Sequence, residues 1–157
     1  MQRNEQLSQL EVESRRYVAA YVLFNQAVAD RVGLHPTDLQ CVSLLTIEPA
    51  PLTTGHIAEL TGLTSGSVSR LVDRLERAGY VTRQRDLHDR RRVLVYPVPE
   101  AIQRLSAVWE NLNEAWTKLF ADYTEAELSL LFRHMQRTAE LSQAQVQRLR
   151  QVDHDPQ

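Results

Sequence analysis

At Gly79 the spacing of the apolar residues changes from that of a helix to that of strands. Before it, Val68, Leu71, Val72 and Leu75 recur at intervals of one, three and four, which lines one helix face. After it, valines stand at 81, 93, 95 and 98, and the segments 80–85 and 92–97 read as two strands. The six residues between them, DLHDRR, are polar apart from Leu87. The chain must therefore place a helix beside a β-hairpin with a charged tip. Gly79 supplies the helix stop.

The segments on either side read as helices. Leu7, Leu10, Tyr17, Tyr21, Phe24 and Val28 form one stripe on a long first helix from about residue 5 to 32, closed by Gly33. Val18, Val22, Ala29 and Val32 widen its upper half. After the break at His35-Pro36, Thr37 with Gln40 has capping-box spacing, which predicts a helix over 38–48 burying Leu39, Val42, Leu45 and Cys41. Pro49 and Pro51 end it. A short helix capped at Thr54 follows, with Ile57, Ala58 and Leu60 inward, ending near Gly62. Thr64 or Ser65 caps the next. From Glu100 the stripe is Ile102, Leu105, Trp109, Leu112, Trp116 and Leu119. Thr124 with Glu127 forms a second capping box, and Leu128, Leu131, Met135, Thr138, Ser142, Val146 and Leu149 run at near-heptad spacing beyond it. The tail VDHDPQ reads as frayed.

Composition narrows the class. Apolar residues at 43% and charged residues at 24% belong to a globular chain, and 157 residues suit one domain with helical extensions. The longest apolar run, Tyr17 to Phe24, is eight residues, whereas a membrane span needs about 20. With no apolar signal core after Met1, a cytoplasmic protein is expected. Cys41 is the only cysteine, which excludes an intramolecular disulfide or a multi-cysteine zinc site. The five histidines show no i, i+4 pairing, so zinc would require long-range assembly. There is no phosphate-cradling loop, nucleophile elbow or metalloprotease motif, so no enzyme, cofactor or metal is expected.

The net charge of −2 is unevenly distributed. Residues 62–96 hold eight arginines against four acids, a net +4, and the remainder carries −6. A basic middle in an acidic frame suggests a local polyanion site, or else a solvated arginine face. The element order decides between them: short helix, tight turn at Gly62-Leu63-Thr64, helix and hairpin make a winged helix-turn-helix, whose second helix enters the major groove. With the apolar stripe inward, Gly66, Ser67, Ser69, Arg70, Asp73 and Arg74 face outward, and Ser65 at the helix start joins the candidate DNA contacts. Small residues let the helix sit deep, hydroxyls bond phosphates or bases, and Arg70 reaches guanine edges or phosphate. The plainer reading of Ser65 and Ser67 is capping. At the hairpin tip, Asp89 can brace an arginine among Arg90, Arg91 and Arg92 for a narrow A·T-rich minor groove. A solubilising turn that guards a sheet edge explains the tip equally well.

The run LTSGSVSRLVDRLERAGYVTRQRDLHDRRRVLVYPVPEA resembles the MarR family (multiple antibiotic resistance regulators), most specifically in SRLVDRLERAGYV and the wing pattern D-x-x-D-R-R at Asp86 to Arg91. LHPTDLQCVSLL and LTTGHIAELTGLT match the preceding helices more loosely. The resemblance implies one mainly α unit over residues 1–157 with a small β-hairpin wing. The winged helix-turn-helix lobe would span about 37–98, and dimerisation helices about 5–32 and 100–150. It implies a homodimeric, sequence-specific DNA-binding transcriptional regulator, a repressor relieved by a small ligand, on a pseudo-palindromic double-stranded operator. It also implies that Arg91 enters the minor groove beside Asp89. The TSGSVS start of the second helix leaves the recognised bases open.

The terminal stripes extend beyond any partner a lobe of this size offers, which marks a protein–protein interface unless the two helices pair within one chain. In regulators of this kind an aromatic or phenolic effector lies between dimer base and DNA-binding lobe. Tyr17, Tyr21, Phe24, His35, Trp109 and Trp116 are the candidate lining residues, although aromatics at helical spacing are more often core. Two alternatives remain: a redox sensor acting through Cys41, which sits on an apolar face with no basic neighbour in sequence, and a helical protein-interaction module using the arginine hairpin as its dock. DNA binding would weaken steeply with salt, a protein dock mildly.

Overall fold

A computed structural model describes residues 3–152. Its elements are α1 (Arg3–Val32), α2 (Pro36–Ile47), β1 (Leu52–Thr53), α3 (Thr54–Thr61), α4 (Ser65–Arg77), β2 (Val81–Arg85), β3 (Val93–Pro97), α5 (Pro99–Ala121) and α6 (Glu125–Val152). The chain divides into two units, one up to Leu105 and one from Ser106, with the boundary inside α5. The tail read as frayed lies, from residue 153 on, outside the described residues.

The first unit is built around the α4 stripe. Val68, Leu71, Val72 and Leu75 are all buried, together with Leu39, Val42 and Leu45 of α2, Ile57 of α3, Val81 of β2 and Val95 of β3. Ala101 and Leu105, at the start of α5, are also buried. The mainly helical fold with a small antiparallel sheet is the one expected, and the sheet has one strand more than the sequence signalled. β1 pairs with β3, giving the order β1-β3-β2, with Leu52 opposite Val95 and Arg83 opposite Val95 on the other side. Two residues are too few to show alternation, so β1 leaves no periodic trace.

Helix starts fall close to the expected caps. Thr64 caps α4, its Oγ1 accepting the Ser67 N–H at 3.3 Å. Thr53 rather than Thr54 caps α3, accepting the His56 N–H at 3.1 Å. Thr37 is not the cap of α2: Pro36, whose fixed φ suits the first helical position, starts the helix earlier, and His35 Nδ1 accepts the Thr37 N–H at 3.3 Å. Gly62 and Gly79 take φ of 73° and 76°, a left-handed conformation that other residues adopt at a cost. The first bends α3 into α4, and the second turns α4 into β2.

In α1 only Val28 and Ala29 are buried, while Leu7, Leu10, Tyr17 and Tyr21 are each at least half exposed. In the second unit, Thr124 and Glu127 form the expected reciprocal box. Glu127 Oε2 accepts the Thr124 N–H at 2.7 Å, and Thr124 Oγ1 accepts the Glu127 N–H at 3.3 Å. The Thr124 N–H and the Thr124 hydroxyl, both donating to the carboxylate, hold Glu127 below its ordinary pKa. Beyond the box, Leu128, Met135, Val146 and Leu149 are exposed on α6.

Candidate nucleic-acid interface

The first turns of α4 present a small, polar outer face. Ser65, Gly66, Ser69 and Arg70 are exposed, and Ser67 is half-buried. A Cβ built on Gly66 would meet no atom within 4 Å, so nothing inside the protein requires glycine there; its bareness faces outward. The capping reading of Ser65 and Ser67 is not met. Thr64 is the cap, while its Oγ1 also donates to Ser67 Oγ at 3.0 Å and the Ser69 hydroxyl bonds back to the Ser65 carbonyl at 3.0 Å. Arg70 Nη2 donates to Ser67 Oγ at 3.3 Å, which lays its guanidinium along the outer face with four further N–H groups to offer.

Two arginines of the basic segment are engaged within the lobe. Arg74, expected on the outward face with Arg70, turns its guanidinium onto Asp38 of α2: Nε to Oδ2 at 2.9 Å and Nη2 to Oδ1 at 2.6 Å. Asp38 is buried, and a buried carboxylate requires such a partner. The bond to Asp38 raises the Arg74 pKa further above its ordinary value. Arg83, on β2, reaches back to α4. It contacts Asp73 Oδ1 at 2.5 Å, Glu76 Oε2 at 3.1 Å and the Ser69 carbonyl at 3.3 Å. None of these ion pairs is legible in the sequence, because the partners stand seven to 36 residues apart with no spacing rule to join them.

The hairpin tip is braced through its backbone. Asp86 Oδ1 accepts the His88 N–H at 2.8 Å, and Asp89 Oδ1 accepts the Arg91 N–H at 3.0 Å. The Arg92 N–H closes the turn on the Asp89 carbonyl at 2.9 Å. The expected brace by Asp89 thus acts on the Arg91 main chain, not on an arginine side chain. The carboxylate beside a guanidinium is Asp86, 4.0 Å from Arg92 Nε, and its pKa is lowered first by the His88 N–H. Arg90 and Arg91 are exposed and pair with no acid among the described residues.

A cavity of about 630 Å³ opens beside α4, lined among others by His35, Asp38, Leu63, Ser67, Arg70 and Arg74. Of the six candidate ligand residues, His35 alone lines it. Tyr17 and Tyr21 are exposed on α1 with ring centroids 6.2 Å apart, Phe24 and Trp109 are half-buried, and Trp116 is marginally exposed. Cys41 is buried, and desolvation, with the charge of Asp38 second, pushes its thiol to about 12. A thiol held neutral is a poor nucleophile, which speaks against the redox alternative. Among the described residues, no group of three His, Cys, Asp or Glu is placed to hold a metal ion, and no helix is long and apolar enough to cross a membrane.

Residues 32–92 match the sequence model of the MarR family. The uncharacterized HTH-type transcriptional regulator YcgE of Bacillus subtilis (strain 168) is 42% identical over 130 residues, 83% of this chain and 84% of that protein. In fold the chain is similar to a MarR family protein from Bacillus stearothermophilus, with a TM-score of 0.70 at 20% identity over 90% of this chain and 99% of that one. It is also similar to NadR in complex with 4-hydroxyphenylacetate, with a TM-score of 0.67 at 18% identity over 83% and 92% of the two chains. For a MepR variant from S. aureus bound to an oligodeoxyribonucleotide the TM-score is 0.58, at 18% identity over 83% and 96%.

Proposed function

The chain belongs to the MarR family of DNA-binding transcriptional regulators, and from that premise we propose that it acts as a homodimeric repressor on a pseudo-palindromic operator and leaves it when a small effector binds. In this reading α4 enters the major groove with Ser65, Gly66, Ser67, Ser69 and Arg70 toward bases and phosphates. Arg91 enters the minor groove, with Arg90 and Arg92 near phosphates.

The observation that carries it is the outer face of α4. It is small and exposed, it is anchored to α2 by Asp38–Arg74 and to β2 by Arg83, and it leaves Arg70 presented outward. A rigidly held helix with an open guanidinium on its outer face is what base readout requires. The dimer is supported by the exposed apolar stripes of α1 and α6, since large apolar residues are exposed in such runs where another surface covers them. The effector is supported by the cavity, whose volume falls in the range of small-molecule sites and whose wall includes Ser67 and Arg70. A ligand seated there would compete with DNA for the same guanidinium.

Fluorescence anisotropy on an operator and on random DNA tests the reading. Arg70→Ala is expected to weaken operator binding by about 1–3 kcal/mol and to relax preference at one base position. An equal loss on both DNAs would leave Arg70 a phosphate contact. Sedimentation at micromolar concentration is expected to give twice the chain mass, and a folded monomer after truncation at Thr138 would sink the dimer.

A further inference from the structure

We infer that Asp38 is a positioning residue for DNA recognition: by holding Arg74, it keeps a second cation of α4 off the DNA backbone. The inference rests on α4 being the DNA-reading helix. Arg70 and Arg74 stand one turn apart on α4, and both line the same cavity wall. Their guanidinium groups nonetheless have opposite fates. Arg70 keeps a single bond to the Ser67 hydroxyl, whereas both faces of the Arg74 fork close on the two Asp38 oxygens.

The geometry of the pair favours this role over a merely structural one. Asp38 is buried, with its side chain 4% exposed, while the Arg74 side chain is 46% exposed. The carboxylate is fixed at the base of α2, and the arginine reaches in to it from the surface. If the hold is removed, nothing else among the described residues pairs with Arg74, and its long side chain is left at the rim of the cavity beside Arg70. A released arginine there adds a charge that binds any phosphate, whatever the sequence. Contacts of that kind raise affinity without raising discrimination. Arg83 makes a contrast: it contacts two carboxylates and a carbonyl, so loss of one leaves it held.

The test compares the wild type, Asp38→Asn, Arg74→Lys and the double variant Asp38→Asn/Arg74→Gln by anisotropy on operator and random DNA over a range of salt. Circular dichroism establishes that each is folded. Asp38→Asn keeps the shape and removes the charge that holds Arg74. It is expected to steepen the salt dependence by about 0.9 for each Arg74 that reaches a phosphate. The same slope taken down from 1 M makes random-DNA binding about eightfold tighter per contact at 0.1 M salt. The ratio of operator to random affinity is expected to fall. In the double variant the slope is expected to return to the wild-type value, which a packing defect would not produce. Arg74→Lys keeps a charge beside Asp38 but lacks the fork, so it is expected to move the slope the same way; it decides the matter if Asp38→Asn does not fold.

An unchanged slope in the folded single variants overturns the inference, as does a slope that stays steep in the double variant. Wild-type protein with no salt-dependent DNA binding would instead overturn the DNA-binding role of α4 itself.

Discussion

Arg83 on β2 and Asp73 on α4 meet through a 2.5 Å contact between Nη2 and Oδ1, ten residues apart in sequence and on opposite sides of the Gly79 turn. β2 and α4 are thereby joined by a side-chain clamp in addition to the backbone. Glu76 completes it, accepting from both the Arg83 main-chain N–H and its guanidinium. In the proposed reading the hairpin tip meets the minor groove while α4 meets the major groove, which requires one fixed geometry between the two elements that this clamp joins.

Arg83→Ala therefore separates folding from recognition. Its carboxylate partners are about half exposed, so water screens the pairs, and the thermal stability lost is expected to stay below about 1 kcal/mol. Operator affinity is expected to fall by more than about fivefold, the equivalent of that energy, because the wing no longer holds its place. Calorimetry and anisotropy on the same preparation check it. Equal losses in the two would make the clamp a folding device only.

Gly66→Ala is expected to move stability and binding in opposite directions. Gly66 has no positive φ and an added Cβ meets nothing, so alanine is expected to stabilise the fold by about 0.4–1 kcal/mol. In the proposed reading the same methyl, on the outer face of α4, stands between helix and DNA. Higher thermal stability with weaker operator binding is the expected pair of results. Unchanged binding would move the interface away from the first turn of α4.

These residues show what a linear sequence carries and what it does not. The α4 stripe, the Gly79 turn and the Thr124–Glu127 box were legible because each follows from spacing within one element. β1 was not, because two residues carry no period. The angle on the helix wheel places Arg74 outward, and its side chain is nearly half exposed. The wheel knew nothing of Asp38, 36 residues upstream. Asp38 itself reads as an ordinary first-turn acid, and only packing shows that it is buried. At the hairpin tip the sequence points to Asp89 as a brace for an arginine side chain, whereas Asp89 meets the Arg91 N–H, because which atom of Arg91 it reaches is a matter of turn geometry.

Cys41 is expected to be inert until the protein unfolds. Burial lifts its thiol from an ordinary 9.0 to about 12, so the folded chain holds the proton that the unfolded chain releases. The stabilisation is complete below pH 9 and is lost as pH rises from there toward 12. Denaturant titrations across this window are expected to show stability falling by up to about 1.4 kcal/mol per pH unit, with a flatter profile in Cys41→Ala. A thiol-reactive dye is expected to label the native protein only at its unfolding rate. Rapid stoichiometric labelling at neutral pH would reopen a sensing role for the thiol.

Arg91 gives the sharpest test of the wing. Its backbone is fixed by Asp89, its side chain is exposed, and no acid among the described residues competes for its guanidinium. A narrow A·T-rich minor groove concentrates negative potential, so one arginine inserted there discriminates flanks that it never reads base by base. Arg91→Ala is expected to weaken binding more on operators with A·T-rich flanks than on those with G·C-rich ones. Folding is expected to stay within about 0.5 kcal/mol of wild type, since the residue is exposed. Anisotropy on both operators at several salt concentrations separates the outcomes. An equal loss on the two flanks, with the salt slope reduced by about 0.9, would make Arg91 a phosphate contact. No loss on either would reduce the charged tip to a solubilising turn beside the sheet edge.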